Sequence, residues 1–205
     1  MPISSDDLWD VSNGATITDH SPLHSASGSQ ASSMFGYFNT SNLYNEGENT
    51  LFSDRQVDDF VHYVEWETEN PVTVNSFNVI ASHGTDPYTK NDRGFKTFRL
   101  YCSTDDSSSW NILYSYDTLD PYGGGDNYPQ SNYLELYDTF STVTAQQFRA
   151  EFVQFGRRDV NTSSAGPKIH ELDGYYTVPE PTSLLLTTLG IMGLAGYRKK
   201  NVNKN

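Results

Sequence analysis

Few side chains in this sequence are placed to do covalent chemistry. The single cysteine, Cys102, excludes an intramolecular disulfide. As a nucleophile it would need a nearby base and an exposed thiolate. Its neighbourhood offers neither, and its alternation with Phe98 and Leu100 in "FRLYCS" is that of a core thiol. The five histidines (His20, His24, His62, His83 and His170) have no HExxH or other ligand spacing. His62 falls in phase with Val64 and Trp66, as a core histidine would. No serine in "SPLHSASGSQASSMFG" stands in a nucleophile-elbow context. Carboxylate pairs abound, but a strongly acidic chain supplies them by chance. The remaining distinctive stretch is Pro179-Glu180-Pro181, where two prolines bar helix propagation and leave Glu180 extended and accessible.

The elements around that stretch are equally distinctive. Ser183 to Tyr197 carries no charge and is rich in Leu, Gly, Ile, Met and Ala, including Leu184, Leu185, Leu186, Leu189, Ile191 and Leu194. From Leu184 to Tyr197 a helix would run about 21 Å, against about 30 Å for a bilayer core. The span is therefore marginal, and Thr182, Ser183 and the snorkelling Arg198 and Lys199 must cover the shortfall. Gly190, Gly193 and Gly196 lower helix propensity but permit close helix contact. The basic cluster Arg198-Lys199-Lys200 belongs on the cytoplasmic side, which places the body outside. A buried amphipathic helix is the competing reading; the lack of a polar face and the terminal position speak against it.

This order of proline-flanked glutamate, short apolar helix and basic cluster resembles the PEP-CTERM sorting signal of Gram-negative envelope proteins. The resemblance covers about Val178 to the end, with "NVNKN" extending a little past the usual basic stop. It implies processing by exosortase, a membrane protease-like sorting enzyme. The tail would be a transient inner-membrane anchor cut near Pro179–Pro181, releasing or transferring the body to the cell surface. An export signal should accompany it, yet "MPISSDDLWDVSNG" has neither a basic start nor an apolar region. Either the true start lies upstream or the signal has been removed, and the orientation argument favours a missing signal.

The formal charge is −13, and the segment before Pro179 holds nine bases against 25 acids, a balance of −16. Such a surface repels phosphate backbones, which argues against a nucleic-acid partner. Aromatic residues make up 14 % of the chain, and Tyr and Phe with little Ala or Leu before residue 184 favour strands. Alternation predicts strands over 60–68, 72–82, 95–104, 110–116, 132–137, 147–155 and 168–176. In 72–82, Val72 and Val74 share one phase and Phe77, Val79 and Ala81 the other, so a β-bulge is expected at Asn75-Ser76. In 110–116, Trp110, Ile112, Tyr114 and Tyr116 are expected to face together. In 147–155, Phe148, Ala150 and Phe152 should face away from Arg149, Glu151 and Val153, with Arg149 and Glu151 as a surface ion pair. "STDDSSSW" reads as a hairpin connection, and no long helix precedes the tail. The fold class is all-β, an antiparallel sandwich followed by a single hydrophobic helix.

"NPVTVNSFNVIAS", "GFKTFRLYCSTDDSSSWNILYSY", "TAQQFRAEFVQ" and "GPKIHELDGYY", in that order, resemble the discoidin, or coagulation factor 5/8 C-type, domain, a galactose-binding-like jelly roll. The match runs from about Leu51 to Tyr176. It implies a structural Ca²⁺ held by Asp54, Asp58 and Glu171 with nearby carbonyls; ordinary turn capping by Asp54 and a hydrogen-bonded Glu171 stand as the alternative, since Arg55 beside a cation is unfavourable. It also implies ligand contacts from loops at one end of the sandwich: His83, Tyr88 and Arg93; Tyr122 and Tyr128; Arg157, Arg158 and Asn161. Exposed tyrosines suit stacking on sugars, although loops of a Tyr-rich sandwich carry tyrosine in any case.

The resulting organisation is a lead-in over 1–50, a discoidin-like sandwich over 51–177 and a sorting signal over 178–205. The expected function is that of an exported surface or matrix protein binding exopolysaccharide without catalysis. A structural matrix protein without a discrete ligand is the alternative, and a carbohydrate-active enzyme the third reading.

Overall fold

The computed structural model describes residues 7–25, 29–36, 49–53, 59–82, 93–104, 109–117, 133–154 and 166–177. These residues form seven strands: β1 (Thr16–His20), β2 (Thr50–Leu51), β3 (Val61–Ser82), β4 (Phe95–Ser103), β5 (Asn111–Asp117), β6 (Tyr133–Gln154) and β7 (Lys168–Tyr175). Short 3-10 turns at Val11–Asn13 and Ala31–Phe35 are the remaining regular elements among the described residues. All pairings are antiparallel, in the order β2-β7-β3-β6-β4-β5, with β1 also on β3.

Two 22-residue strands turn this ladder into facing layers. The first half of β3 pairs with β1 and with the second half of β6, which carries β4 and then β5. The second half of β3 pairs with β7 and with the first half of β6. The two halves meet across the core: the Phe77 ring lies 5.2 Å from that of Phe98 on β4 and 4.7 Å from that of Tyr114 on β5. Phe152 sits among Phe52, Phe95 and Phe98 at centroid distances of 5.5–5.9 Å. Each such fully buried aromatic contributes about 1.5–3 kcal/mol of transfer free energy.

The expected strands 60–68 and 72–82 are one element. Pro71, which breaks the alternation between them, lies in the gap where β3 has no β6 partner, between Glu67 and Val72, so its missing N–H costs no ladder bond. The register slips again between Val74 and Ser76, the position where the phase change predicts a bulge. Likewise 132–137 and 147–155 merge into β6 through Thr- and Ser-rich residues. Their cross-strand contacts include Thr73 Oγ1 with Thr144 Oγ1 at 2.8 Å.

Two facing assignments need correction. A slip between Leu100 and Tyr101 leaves Leu113 without a β4 partner, so Ile112 leaves the phase of Tyr114 and Tyr116 and is 56 % exposed. Val153 is buried together with Phe152 rather than facing outward with Glu151. His62 and Cys102 are buried as their phase predicts, and His62 Nε2 donates to Gln154 Oε1 at 2.9 Å. The lead-in also contributes to the core: Trp9, Met34 and Phe35 are fully buried in the same cluster. Trp9 meets Trp66 edge-on at 5.0 Å.

Candidate functional site

Strand register decides which loops can act together. Ser82, at the end of β3, pairs with Tyr133 at the start of β6 and with Lys168 at the start of β7. Phe95 at the start of β4 pairs with Gln154 at the end of β6, and Thr97 with Asp117 at the end of β5. The two layers are tied at this end by Lys168 N donating to Arg93 O at 2.7 Å. The connections 83–92, 118–132 and 155–165 therefore leave from one end of the sandwich. The 54–58 connection leaves there too, since Gln154 N donates to Phe60 O.

Arg93 is the sequence-predicted ligand residue whose surroundings are defined. It is half-buried, and its Nη1 donates to Gly166 O at 3.4 Å, so part of its role is to join the stems of two loops. His83, Tyr88, Tyr122, Tyr128, Arg157, Arg158 and Asn161 lie outside the described residues, as do Asp54 and Asp58.

Glu171 lies on β7 opposite Ile80 and is buried. It is two residues from Asp173 on the same strand, and both carboxyl groups are buried. Asp173 Oδ2 accepts from Tyr175 Oη at 2.7 Å and from Asn78 Nδ2 at 3.4 Å. Asp7 closes this buried acidic region: its Oδ1 accepts from Gly174 N at 2.7 Å and Trp9 N at 3.0 Å. Burial first, then the charge of Asp173, pushes the Asp7 carboxyl up to about 8, and burial raises Asp173 as well. No group of three or more His, Cys, Asp or Glu among the described residues has the arrangement to hold a metal ion. The region is a buried, hydrogen-bonded joint between the lead-in and β7.

On the outer face, the expected Arg149–Glu151 pair is present at 2.9 Å and belongs to a larger network. Arg149 also reaches Glu65, and its guanidinium lies 4.3 Å over the Tyr63 ring. Tyr101 Oη donates to Glu151 Oε2 at 3.1 Å, and Tyr63 Oη to Asp19 Oδ2 at 2.8 Å. The Tyr63 hydroxyl is the main cause holding Asp19 below the usual carboxylate range. These groups are bonded to one another across the sheet face.

The junction with the tail is a feature that the strand pattern only hinted at. Asn75, in the β3 bulge, accepts on Oδ1 from Thr177 N at 2.8 Å and Thr177 Oγ1 at 3.1 Å, and donates from Nδ2 to Thr177 O at 2.8 Å. The phase change at Asn75 was the signal that its side chain would leave the regular alternation.

Comparison with known proteins places this architecture. It has the fold of carbohydrate-binding modules. Chitosan-binding module 1 from a chitosanase/glucanase of Paenibacillus sp. IK-5 superposes with a TM-score of 0.53 at 18 % identity, covering 83 % of this chain and 98 % of the module. The CBM32-3 module of a family 31 glycoside hydrolase from Clostridium perfringens gives 0.54 at 14 % identity, covering 82 % and 94 %. The family 32 carbohydrate-binding module of Streptococcus pneumoniae EndoD gives 0.51 at 17 %, covering 83 % and 99 %. Residues 177–200 match the PEP-CTERM protein-sorting motif, which marks the protein for export and sorting to the envelope or surface. No curated protein matches the chain at a significant level. The apolar segment 184–197 and the basic cluster lie outside the described residues; among those described, no helix is long and apolar enough to cross a membrane.

Proposed function

We propose that this chain is an exported carbohydrate-binding protein whose sandwich is delivered to the cell surface or extracellular matrix by its sorting tail. The reading is carried by one observation: the sorting motif begins at Thr177, two residues after β7 completes a sheet of the carbohydrate-binding-module fold. An exosortase would cut near Pro179–Pro181 while the apolar segment holds the tail in the inner membrane. Ligand contact falls to the loops that leave one end of the sandwich, with Tyr88, Tyr122 and Tyr128 stacking on sugar rings. His83, Arg93, Arg157 and Asn161 would bond hydroxyls. Exopolysaccharide of the cell's own matrix is the ligand class that suits such a destination. The acidic surface turns away nucleic acid and anionic polymers, so neutral or cationic glycans are favoured.

A glycan array probed with residues 1–177 tests the binding half. Saturable binding that is lost on Tyr88→Ala or Tyr122→Ala supports it. Absence of binding across chemically diverse polysaccharides returns the protein to a structural role in the matrix.

A further inference from the structure

The last residue of the body is held by one side chain. Asn75 is 8 % exposed and makes three hydrogen bonds to Thr177, while Thr177 itself is exposed. The neighbouring Ser76 Oγ donates to Tyr175 O at 3.3 Å, so the chain is tied on both sides of Tyr176. The tie exists because of the bulge: the slip between Val74 and Ser76 takes Asn75 out of the ladder and leaves its amide for Thr177. Thr177 is also the first residue of the matched sorting motif, and Val178 alone separates it from Pro179.

Enzymes that read a peptide commonly take it as an extended strand, with backbone bonds on both sides of the recognised residues. Here the residues before the Pro-Glu-Pro stretch are already bonded to the sheet. We propose that Asn75 is a positioning residue for processing of the sorting signal: by clamping Thr177 it limits how much chain upstream of Pro179 can enter the sorting enzyme. This rests on the reading of the tail given above. In the processing step the peptide C–N bond breaks and the carbonyl carbon joins the nucleophilic atom of water or an acceptor amine. The proton of that nucleophile passes to the departing nitrogen. Asn75 takes no part in those bonds. It governs the population of chain released from β7 and thereby the rate at which the bond is presented.

The test uses the full chain, preceded by a secretory leader, in a host carrying an exosortase, with processing followed by pulse-chase. Asn75→Ala is expected to raise the processing rate about fivefold or more, the effect of losing a local tie of this size. Insertion of two glycines between Thr177 and Val178, with Asn75 intact, is expected to raise it as well while leaving the Tm unchanged. A purely structural role for Asn75 would not respond to that insertion. Cleavage after Tyr176 by chymotrypsin, which involves no sorting enzyme, should also accelerate in Asn75→Ala. Unchanged or slower processing of both variants, alongside a processed wild type, would overturn the role of Asn75 alone. A wild type that is never processed would overturn the role and the reading of the tail together. Should Asn75→Ala fail to fold, the glycine insertion decides the matter.

Discussion

Gly174 lies directly beneath the indole of Trp9: a Cβ placed on Gly174 would stand 2.4 Å from two ring carbons. This contact joins the lead-in to the closing strand β7. It is reinforced by the Gly174 N–H bonded to Asp7 Oδ1 and by Leu8 N donating to Gly174 O at 2.9 Å.

Gly174→Ala is therefore expected to destabilise the sandwich, because the indole is held on its other sides by Trp66 and Phe148. Overpacking of this kind costs about 1–3 kcal/mol. At about 2–4 °C per kcal/mol for a chain of this size, thermal denaturation should register a fall in Tm of several degrees.

Asp7 gives the fold a specific pH dependence. Its carboxyl rises from 3.8 to about 8 in the folded state, first through burial and then through the charge of Asp173. A raised pKa means that the protonated form is the one the fold accepts. Its contribution is complete below about 4 and is lost as the pH rises toward about 8. Asp7→Asn keeps an oxygen for the Gly174 and Trp9 amides and cannot ionise. The Tm of the variant should match wild type near pH 4 and exceed it near pH 8. A gap that does not widen with pH would contradict this.

Cys102 is buried, and burial raises its thiol pKa. In the native protein it should resist a thiol-specific reagent at pH 7.5, then react stoichiometrically once denaturant unfolds the sandwich. Rapid reaction of the native protein would contradict the packing of β4.

Strands whose burial alternates were legible in the sequence. Phe98, Leu100 and Cys102 all face the core of β4 as expected, and the Val74-to-Phe77 phase change located the β3 bulge. What escaped lacked that alternation. β1 is exposed at four of its five positions and is held by pairing with β3 rather than by burial of its own. Trp9 and Phe35 join the core from 3-10 and irregular segments, where no periodicity announces a buried face. The middle of β6 is polar because it lies on an exposed layer. Of the site, loops gathered at one end were an implication of the discoidin resemblance; the register that brings their stems together comes from β3, β4, β6 and β7 in the structure. The clamp on Thr177 was not legible, because it joins residues 102 positions apart through a side chain outside the ladder.

The central claim is that sandwich and tail act in series, the tail directing where the sandwich works. Intact-mass measurement of the protein purified from cells that express it natively tests this most directly. The account predicts a mature C-terminus between Thr177 and Pro181, recovered from the cell surface or medium. A native protein ending at Asn205 and found in the cytoplasm would contradict it.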